Sequence, residues 1–157
     1  MKNNNCCSAS STTTVLACSG GSNVGQIANE AAKLLDTAGE AKFFCLAGVG
    51  GHISGMIASV EGCNKVLVLD GCPVACAKKA MDAANIKGYT HITVTNLGIE
   101  KVHDFKLSDE QINQVLSACR AEINGSSTLK ENSNETKLVE TSGDSGSCRG
   151  GGCCSCE

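Results

Sequence analysis

Four cysteines fall where three consecutive apolar segments of the chain end. Cys18 closes the segment TTVLAC, Cys45 lies near the end of KFFCLAG, and Cys72 directly follows KVLVLDG. Cys76 comes shortly afterwards, in a C-x3-C step with Cys72. Four thiolates can hold tetrahedral zinc and, equally, an iron–sulfur cluster. A thiol can also act as a nucleophile in disulfide, persulfide or arsenic–thiol exchange, so both kinds of chemistry are open to this set.

The elements that must position these thiols alternate between strand and helix. Apolar runs predict strands and apolar residues at helical spacing predict helices. Runs without a polar alternation are typical of strands that are covered on both faces. This order predicts the α/β class: a three-layer, Rossmann-like domain with a four-stranded parallel sheet and helices on both sides. The predicted strands are 13–18, 42–48, 65–71 and 91–98, and the predicted helices are 22–39, 53–62, 73–86 and 108–123.

Parallel strands place their carboxyl ends at one edge of the sheet, where ligands bind in folds of this kind. Strand orders 2-1-3-4 and 3-2-1-4 both keep the first three strands adjacent, so their thiols are predicted to converge. Pro73 is predicted to be the first helical residue and Cys72 its N-cap, where the helix dipole favours a thiolate. Cys63 precedes a strand and Cys119 lies among the apolar positions of the last helix, so both are predicted to be packing residues.

Other residues of the same edge are candidates for accessory roles. Gly20 and Gly21 follow the first strand, where their backbone N–H groups could face an anion. His52 lies in the second loop and could be a further ligand, a proton carrier or simply a hydrogen-bonded loop residue. Asp70 could orient a thiol or cap a loop. His91 begins the fourth strand and is assigned to the opposite edge, with no role in the site.

The rest of the chain divides by composition. We predict a disordered arm over 1–11, the α/β domain over 12–124, a flexible linker over 125–147 and a disordered cysteine-rich tail over 148–157. The tail suits a soft ion such as Cu(I), Zn(II) or trivalent arsenic, or could resolve a disulfide of the domain. Its thiols are Cys148, Cys153, Cys154 and Cys156.

Composition argues against several classes of function. The chain of 157 residues has a net charge of −3, which does not attract a phosphate backbone, so no nucleic-acid partner is expected. No apolar run approaches the roughly 18 residues of a membrane span, so no membrane partner is expected. The N-terminal stretch lacks the apolar region of a signal peptide. A cytoplasmic location, where thiols stay reduced, is therefore predicted.

Four motifs carry a resemblance to a known family. CSGGSNVGQIANEAA, CLAGVGGHISGMI, LDGCPVACAKKAM and TNLGIEK occur in this order between 15 and 101, and together they resemble the DGC-domain family, which is often described as zinc-binding. The Asp-Gly-Cys step of its name is residues 70–72 here. The resemblance implies that the characteristic cysteines of the family are Cys18, Cys45, Cys72 and Cys76, and it implies zinc as the cofactor.

Two hypotheses follow. In the first, the four cysteines hold zinc, or alternatively an iron–sulfur cluster, and the protein serves metal or metalloid handling with such an ion as its partner. In the second, the protein is a thiol enzyme with Cys18 or Cys72 as nucleophile and another cysteine as the resolving thiol. The absence of a C-x-x-C motif from the predicted domain 12–124, and of a histidine base adjacent to its cysteines, weighs against the second. The sequence leaves the oligomeric state open.

Overall fold

The computed structural model describes residues 13–125. The strands pair in parallel in the order β2-β1-β3-β4, which is one of the two orders named above. They are β1 (Thr13–Ala17), β2 (Lys42–Phe43), β3 (Lys65–Asp70) and β4 (Thr90–Thr93). The helices are α1 (Asn23–Thr37), α2 (Leu46–Gly50), α3 (Ser54–Glu61), α4 (Cys76–Ala83) and α5 (Asp109–Ile123), with a 3-10 helix at Val94–Leu97.

The sheet is the middle of three layers because β1 and β3 are apolar on both faces. Val15 and Leu67 face a core formed with α1 and α5. Leu16 and Val68 face a second core, formed with the helices α2, α3 and α4. Successive side chains of a strand point to opposite faces, which explains the alternation. The predicted fold class, a three-layer α/β domain with a four-stranded parallel sheet, is confirmed.

The second predicted strand is much longer than β2. The strand 42–48 stops at Phe43, and Cys45 is instead the N-cap of an unpredicted helix, α2. Leu46 and Val49 have helical spacing, and Val49 is fully buried in the core, so packing favours a helix here. The fourth strand is also shorter than predicted, because β4 ends at Thr93 and the 3-10 helix follows.

The predicted helix 73–86 begins later and ends earlier, at Cys76 and Ala83. Ala75 has a left-handed backbone (φ 53°) and its N–H donates to the carbonyl of Cys72 at 3.0 Å, so a turn precedes the helix. The prediction that Cys72 is the N-cap is therefore wrong. At the start of α5, the side chain of Ser108 makes no capping hydrogen bond.

The predicted arm, the linker beyond residue 125 and the cysteine-rich tail lie outside the described residues. Within 13–125, none of the helices has both the length and the apolar character needed to cross a bilayer.

Candidate functional site

Three of the four predicted cysteines line one pocket. It has a volume of about 390 Å³ and lies beyond the carboxyl ends of β1 and β3. Cys18, Cys72 and Cys76 contribute to its wall, and Gly20 and Gly21 form part of its rim. The structure thus brings these five sequence-predicted residues together.

Cys45 lines a neighbouring pocket of about 810 Å³ instead. Its wall is mostly apolar and includes Phe43 and Phe44, and the side chain of Cys45 is exposed. The two pockets share Ser19 and Leu46, so they are adjacent. Cys45 is displaced from the other three thiols because it follows the short edge strand β2.

Cys18 is the buried thiol of the pocket, with 9% of its surface exposed. The N–H of Gly71 donates to its sulfur at 3.0 Å, and the N–H of Gly20 donates as well. Burial raises the pKa of the Cys18 thiol, and the nearby Asp70 carboxylate adds to this, whereas the two N–H donors oppose it. The net effect is that the pKa of Cys18 is raised, so Cys18 is a neutral thiol near neutral pH.

Cys72 is half-buried and has a cationic partner. The ammonium of Lys101 donates to its sulfur, with Nζ 3.5 Å from Sγ. Lys101 also lines the pocket. A positive charge beside a sulfur stabilises the negative charge that the sulfur carries when it attacks.

Asp70 organises the turn that carries Cys72 and Cys76. Its carboxylate is 1% exposed and accepts hydrogen bonds from the N–H groups of Ala77 (2.8 Å) and Lys78 (2.9 Å). These are N–H groups of the first turn of α4, so Asp70 caps this helix from the adjoining strand. The Nε2 atom of His91 lies 2.9 Å from the same carboxylate.

Burial would raise the pKa of Asp70, but its partners outweigh that effect. The hydrogen bond with His91 and those from the two α4 amides hold the pKa below its usual range. Asp70 is therefore a buried carboxylate that stays ionised. The assignment of His91 to the opposite edge was wrong, because its long side chain reaches from β4 to the last residue of β3.

Cys76 is the first residue of α4 and is exposed. It therefore stands at the positive end of the helix dipole. The hydrogen bond between Ala75 and Cys72 closes the turn that separates the two thiols. Cys72 and Cys76 thus belong to one short, tightly held segment of the pocket wall.

Glycines let both loops of the pocket pack closely against the first turn of α1. A Cβ on Gly71 would lie 2.7 Å from the backbone N of Gly25, and a Cβ on Gly25 would lie 2.7 Å from the carbonyl O of Gly20. Real Cβ atoms do not approach backbone this closely. Glycine at position 71 therefore lets the β3–α4 loop pack against the first turn of α1, and glycine at position 25 lets the β1–α1 loop pack against the same turn.

Several predicted residues lie elsewhere. His52 is exposed, has a left-handed backbone (φ 56°) and does not line the thiol pocket. Cys119 is fully buried and Cys63 packs against the second core while donating to the carbonyl of Ser59, in line with packing roles. The tail thiols lie outside the described residues: Cys148, Cys153, Cys154 and Cys156.

The arrangement does not present a formed metal centre. In the part of the chain that the structure describes, no three His, Cys, Asp or Glu side chains are grouped so that they could hold a metal ion. Cys45 contributes to a different pocket from the other three cysteines. The zinc or iron–sulfur site expected from the sequence stays a prediction.

Two residues of the site were missed by sequence reasoning. Lys101 follows the fourth strand, at the same sheet edge as the thiols, and that position was the available signal. His91 gave no signal, since its contact with Asp70 depends on the register of β3 and β4, which the sequence does not reveal.

The chain is similar in sequence to known proteins. The family model described as DGC domain matches residues 14–119. The chain is 39% identical over 85 residues to the anaerobic and virulence modulator AnvM of Pseudomonas aeruginosa. That match covers 54% of this chain and 65% of the relative, so the chain spans less than two thirds of the relative's length. No solved structure matches.

Proposed function

We propose that the cysteine pocket of this chain, which belongs to the DGC domain family, carries out thiol–disulfide exchange. In this exchange Cys72 is the attacking sulfur. The observation that carries the proposal is the hydrogen bond from the Lys101 ammonium to Cys72 in a pocket that Cys76 also lines. A thiol with a cation beside it, and a second thiol across a short turn that can resolve a mixed disulfide, favour such exchange.

The exchange proceeds in two displacement steps. The Cys72 thiolate attacks one sulfur of a substrate disulfide, the S–S bond breaks, and half of the substrate leaves as a thiolate that takes up a proton. Cys76 then attacks the mixed disulfide at the Cys72 sulfur and releases the second half. The substrate gains two electrons and the cysteine pair loses two, and a cellular dithiol restores the pair.

Cys72 is better suited than Cys18, the other candidate nucleophile, to attack the substrate disulfide. Cys18 is buried, and its raised pKa keeps it protonated near neutral pH. Cys72 is partly open to solvent and has a positive partner.

A second candidate function is the binding of a soft ion, because three thiols line one pocket. Rotation of Cys18, Cys72 and Cys76 about their side-chain bonds could bring their sulfurs towards a zinc ion, an iron–sulfur cluster or trivalent arsenic. Metal analysis after anaerobic purification separates the two functions. Stoichiometric metal that is lost in Cys18→Ser supports this second function, and metal-free protein with a fast-reacting Cys72 supports exchange.

The first prediction concerns Lys101. We expect Lys101→Met to slow the alkylation of Cys72 by iodoacetamide about threefold to fivefold, the scale of an exposed charge interaction. The reason is that the sulfur loses the cation that stabilises its negative charge. The rate is followed at each cysteine by tandem mass spectrometry.

The matched control is Lys106→Met, because Lys106 is an exposed lysine of the same loop segment and does not line the pocket. It should leave the rate unchanged. Cys119 should stay unlabelled in every variant, since burial raises the pKa of its thiol to about 12. An equal effect of both lysine variants on Cys72 would contradict the specific pairing.

The relative adds a compatible context. Its name associates it with anaerobic conditions and virulence. Thiols respond directly to oxidation, so a thiol site is compatible with a relative that is named an anaerobic modulator. We extend the proposal to a cytoplasmic location, where reduced thiols are maintained.

A further inference from the structure

Lys101 needs an external support to reach the thiol pocket. Residues 99–108 contain no helix or strand, so no regular hydrogen bonding fixes the backbone there. Yet the Lys101 ammonium lies within 3.5 Å of the Cys72 sulfur. Lysine has a long side chain that loses much conformational freedom when it is held. A stable contact therefore requires that its backbone be held in place.

Asn23, the first residue of α1, provides this support. Its side-chain Nδ2 donates to the carbonyl of Glu100 at 2.8 Å, and its Oδ1 accepts from the N–H of Val102 at 2.8 Å. Its backbone N–H also donates to the carbonyl of Val102. These three hydrogen bonds hold the backbone of Glu100 and Val102, the residues on either side of Lys101. Asn23 is only 5% exposed, so water competes little for them.

Helix capping does not explain this side chain. Ser22 is the N-cap of α1, and its hydroxyl accepts from the N–H of Gly25. The amide of Asn23 is thus left for the loop. A primary amide offers a donor and an acceptor in one small planar group, which matches one carbonyl and one N–H. An aspartate would instead set a carboxylate oxygen against the carbonyl of Glu100.

We propose that Asn23 is the positioning residue for Lys101 and that it determines, through Lys101, how fast Cys72 reacts. This inference rests on the proposed function of Cys72. Asn23 is not among the residues that line the thiol pocket, so its effect is expected to pass through the lysine. If Asn23 acts through Lys101, its effect on the Cys72 reaction rate disappears once Lys101 is replaced. A general loss of stability would not produce that dependence.

The test uses the full chain with Asn23→Ala, which removes both side-chain bonds without adding charge. Asn113→Ala is the matched control, because Asn113 is an exposed helical asparagine of α5. We expect Asn23→Ala to slow iodoacetamide labelling of Cys72 by at least about twofold, of the order of the effect of Lys101→Met. The control should not change it. Far-UV circular dichroism and a thermal melt establish that each variant is folded.

The double variant Asn23→Ala/Lys101→Met decides between positioning and a structural effect. If Asn23 acts through Lys101, the double variant reacts no more slowly than Lys101→Met alone. Independent, multiplying effects on the rate would overturn the proposal, as would an unchanged Cys72 rate in folded Asn23→Ala. Should Asn23→Ala not fold, Asn23→Ser, which keeps one hydrogen-bonding group, replaces it in the same cycle.

The two proposals fail in different ways. If Lys101→Met leaves Cys72 labelling unchanged, the proposed function is refuted and the role of Asn23 falls with it. If Lys101→Met slows Cys72 but folded Asn23→Ala does not, only the positioning role is refuted. Hydrogen exchange over residues 99–104 gives a separate readout, and faster exchange in Asn23→Ala than in Asn113→Ala is the expected result.

Discussion

Replacement of Asp70 by alanine is expected to lower the free energy of unfolding by about 3 kcal/mol, the sum of a lost helix cap and a buried partner left unpaired. The change leaves the N–H groups of Ala77 and Lys78 without their acceptor, and His91 without its carboxylate. Asp70 is almost fully buried, so water cannot easily replace it. Urea unfolding of both proteins at pH 7 measures the difference.

The pH dependence of this effect has a defined sign. The pKa of Asp70 is lower in the folded protein than in the unfolded chain, so its stabilisation is fully present above the unfolded value, about pH 4. It is lost as the pH falls through the lower folded pKa. The difference between wild type and Asp70→Ala should therefore shrink as the pH falls below about pH 4.

Asp82→Ala is the control for Asp70→Ala. Asp82 is an acidic residue of α4 that pairs with Lys78 at the surface, where such pairs contribute about 0 to 1 kcal/mol. It also accepts a hydrogen bond from Tyr89. The two variants should differ clearly at pH 7. Equal losses of stability would contradict the capping role of Asp70.

Gly71→Ala is expected to cost about 2 to 4 kcal/mol, at the upper end of overpacking effects. A Cβ at this position would approach the backbone N of Gly25 to 2.7 Å and the carbonyl C of Val24 to 2.8 Å. Both neighbours are backbone atoms of α1, which cannot rotate away. The β3–α4 loop must move away from α1, and the hydrogen bond from Gly71 to Cys18 should break as it does.

Gly21→Ala provides the comparison, because Gly21 lines the same pocket and an added Cβ there would meet no atom of another segment within 4 Å. It should change the unfolding free energy by less than about 1 kcal/mol. Thermal melts of the two variants, with labelling of Cys18 by iodoacetamide, make the comparison. Faster labelling of Cys18 in Gly71→Ala alone would show that the glycine contact keeps this thiol covered.

The parallel sheet and the convergence of Cys18 and Cys72 were predictable because both depend on chain direction. Apolar segments separated by helices define parallel strands, and a residue that directly follows such a strand must lie at the carboxyl edge. Cys45 did not obey this rule because β2 has only two residues and the chain leaves the sheet before the cysteine. A short apolar run does not reveal where an edge strand stops.

Contacts between elements that are distant along the chain could not be predicted from the sequence. Asp70 belongs to β3, yet its carboxylate caps α4. No local capping pattern in the sequence around Pro73 indicates this contact. Lys101 depends on Asn23, which lies far away in sequence. Such pairings follow from three-dimensional packing, whereas sequence patterns report periodicity and local turns.

The most direct test of the central claim is the site at which a disulfide first reacts. Reduced full-length protein is mixed with a limiting amount of glutathione disulfide, quenched with N-ethylmaleimide and mapped by mass spectrometry. Cys45 is the internal comparison, since it is the more exposed thiol and lies in the neighbouring pocket. We predict that Cys72 reacts before Cys45 and ends in a disulfide with Cys76. A Cys45 that reacts first, with Cys72 still reduced, would contradict the account.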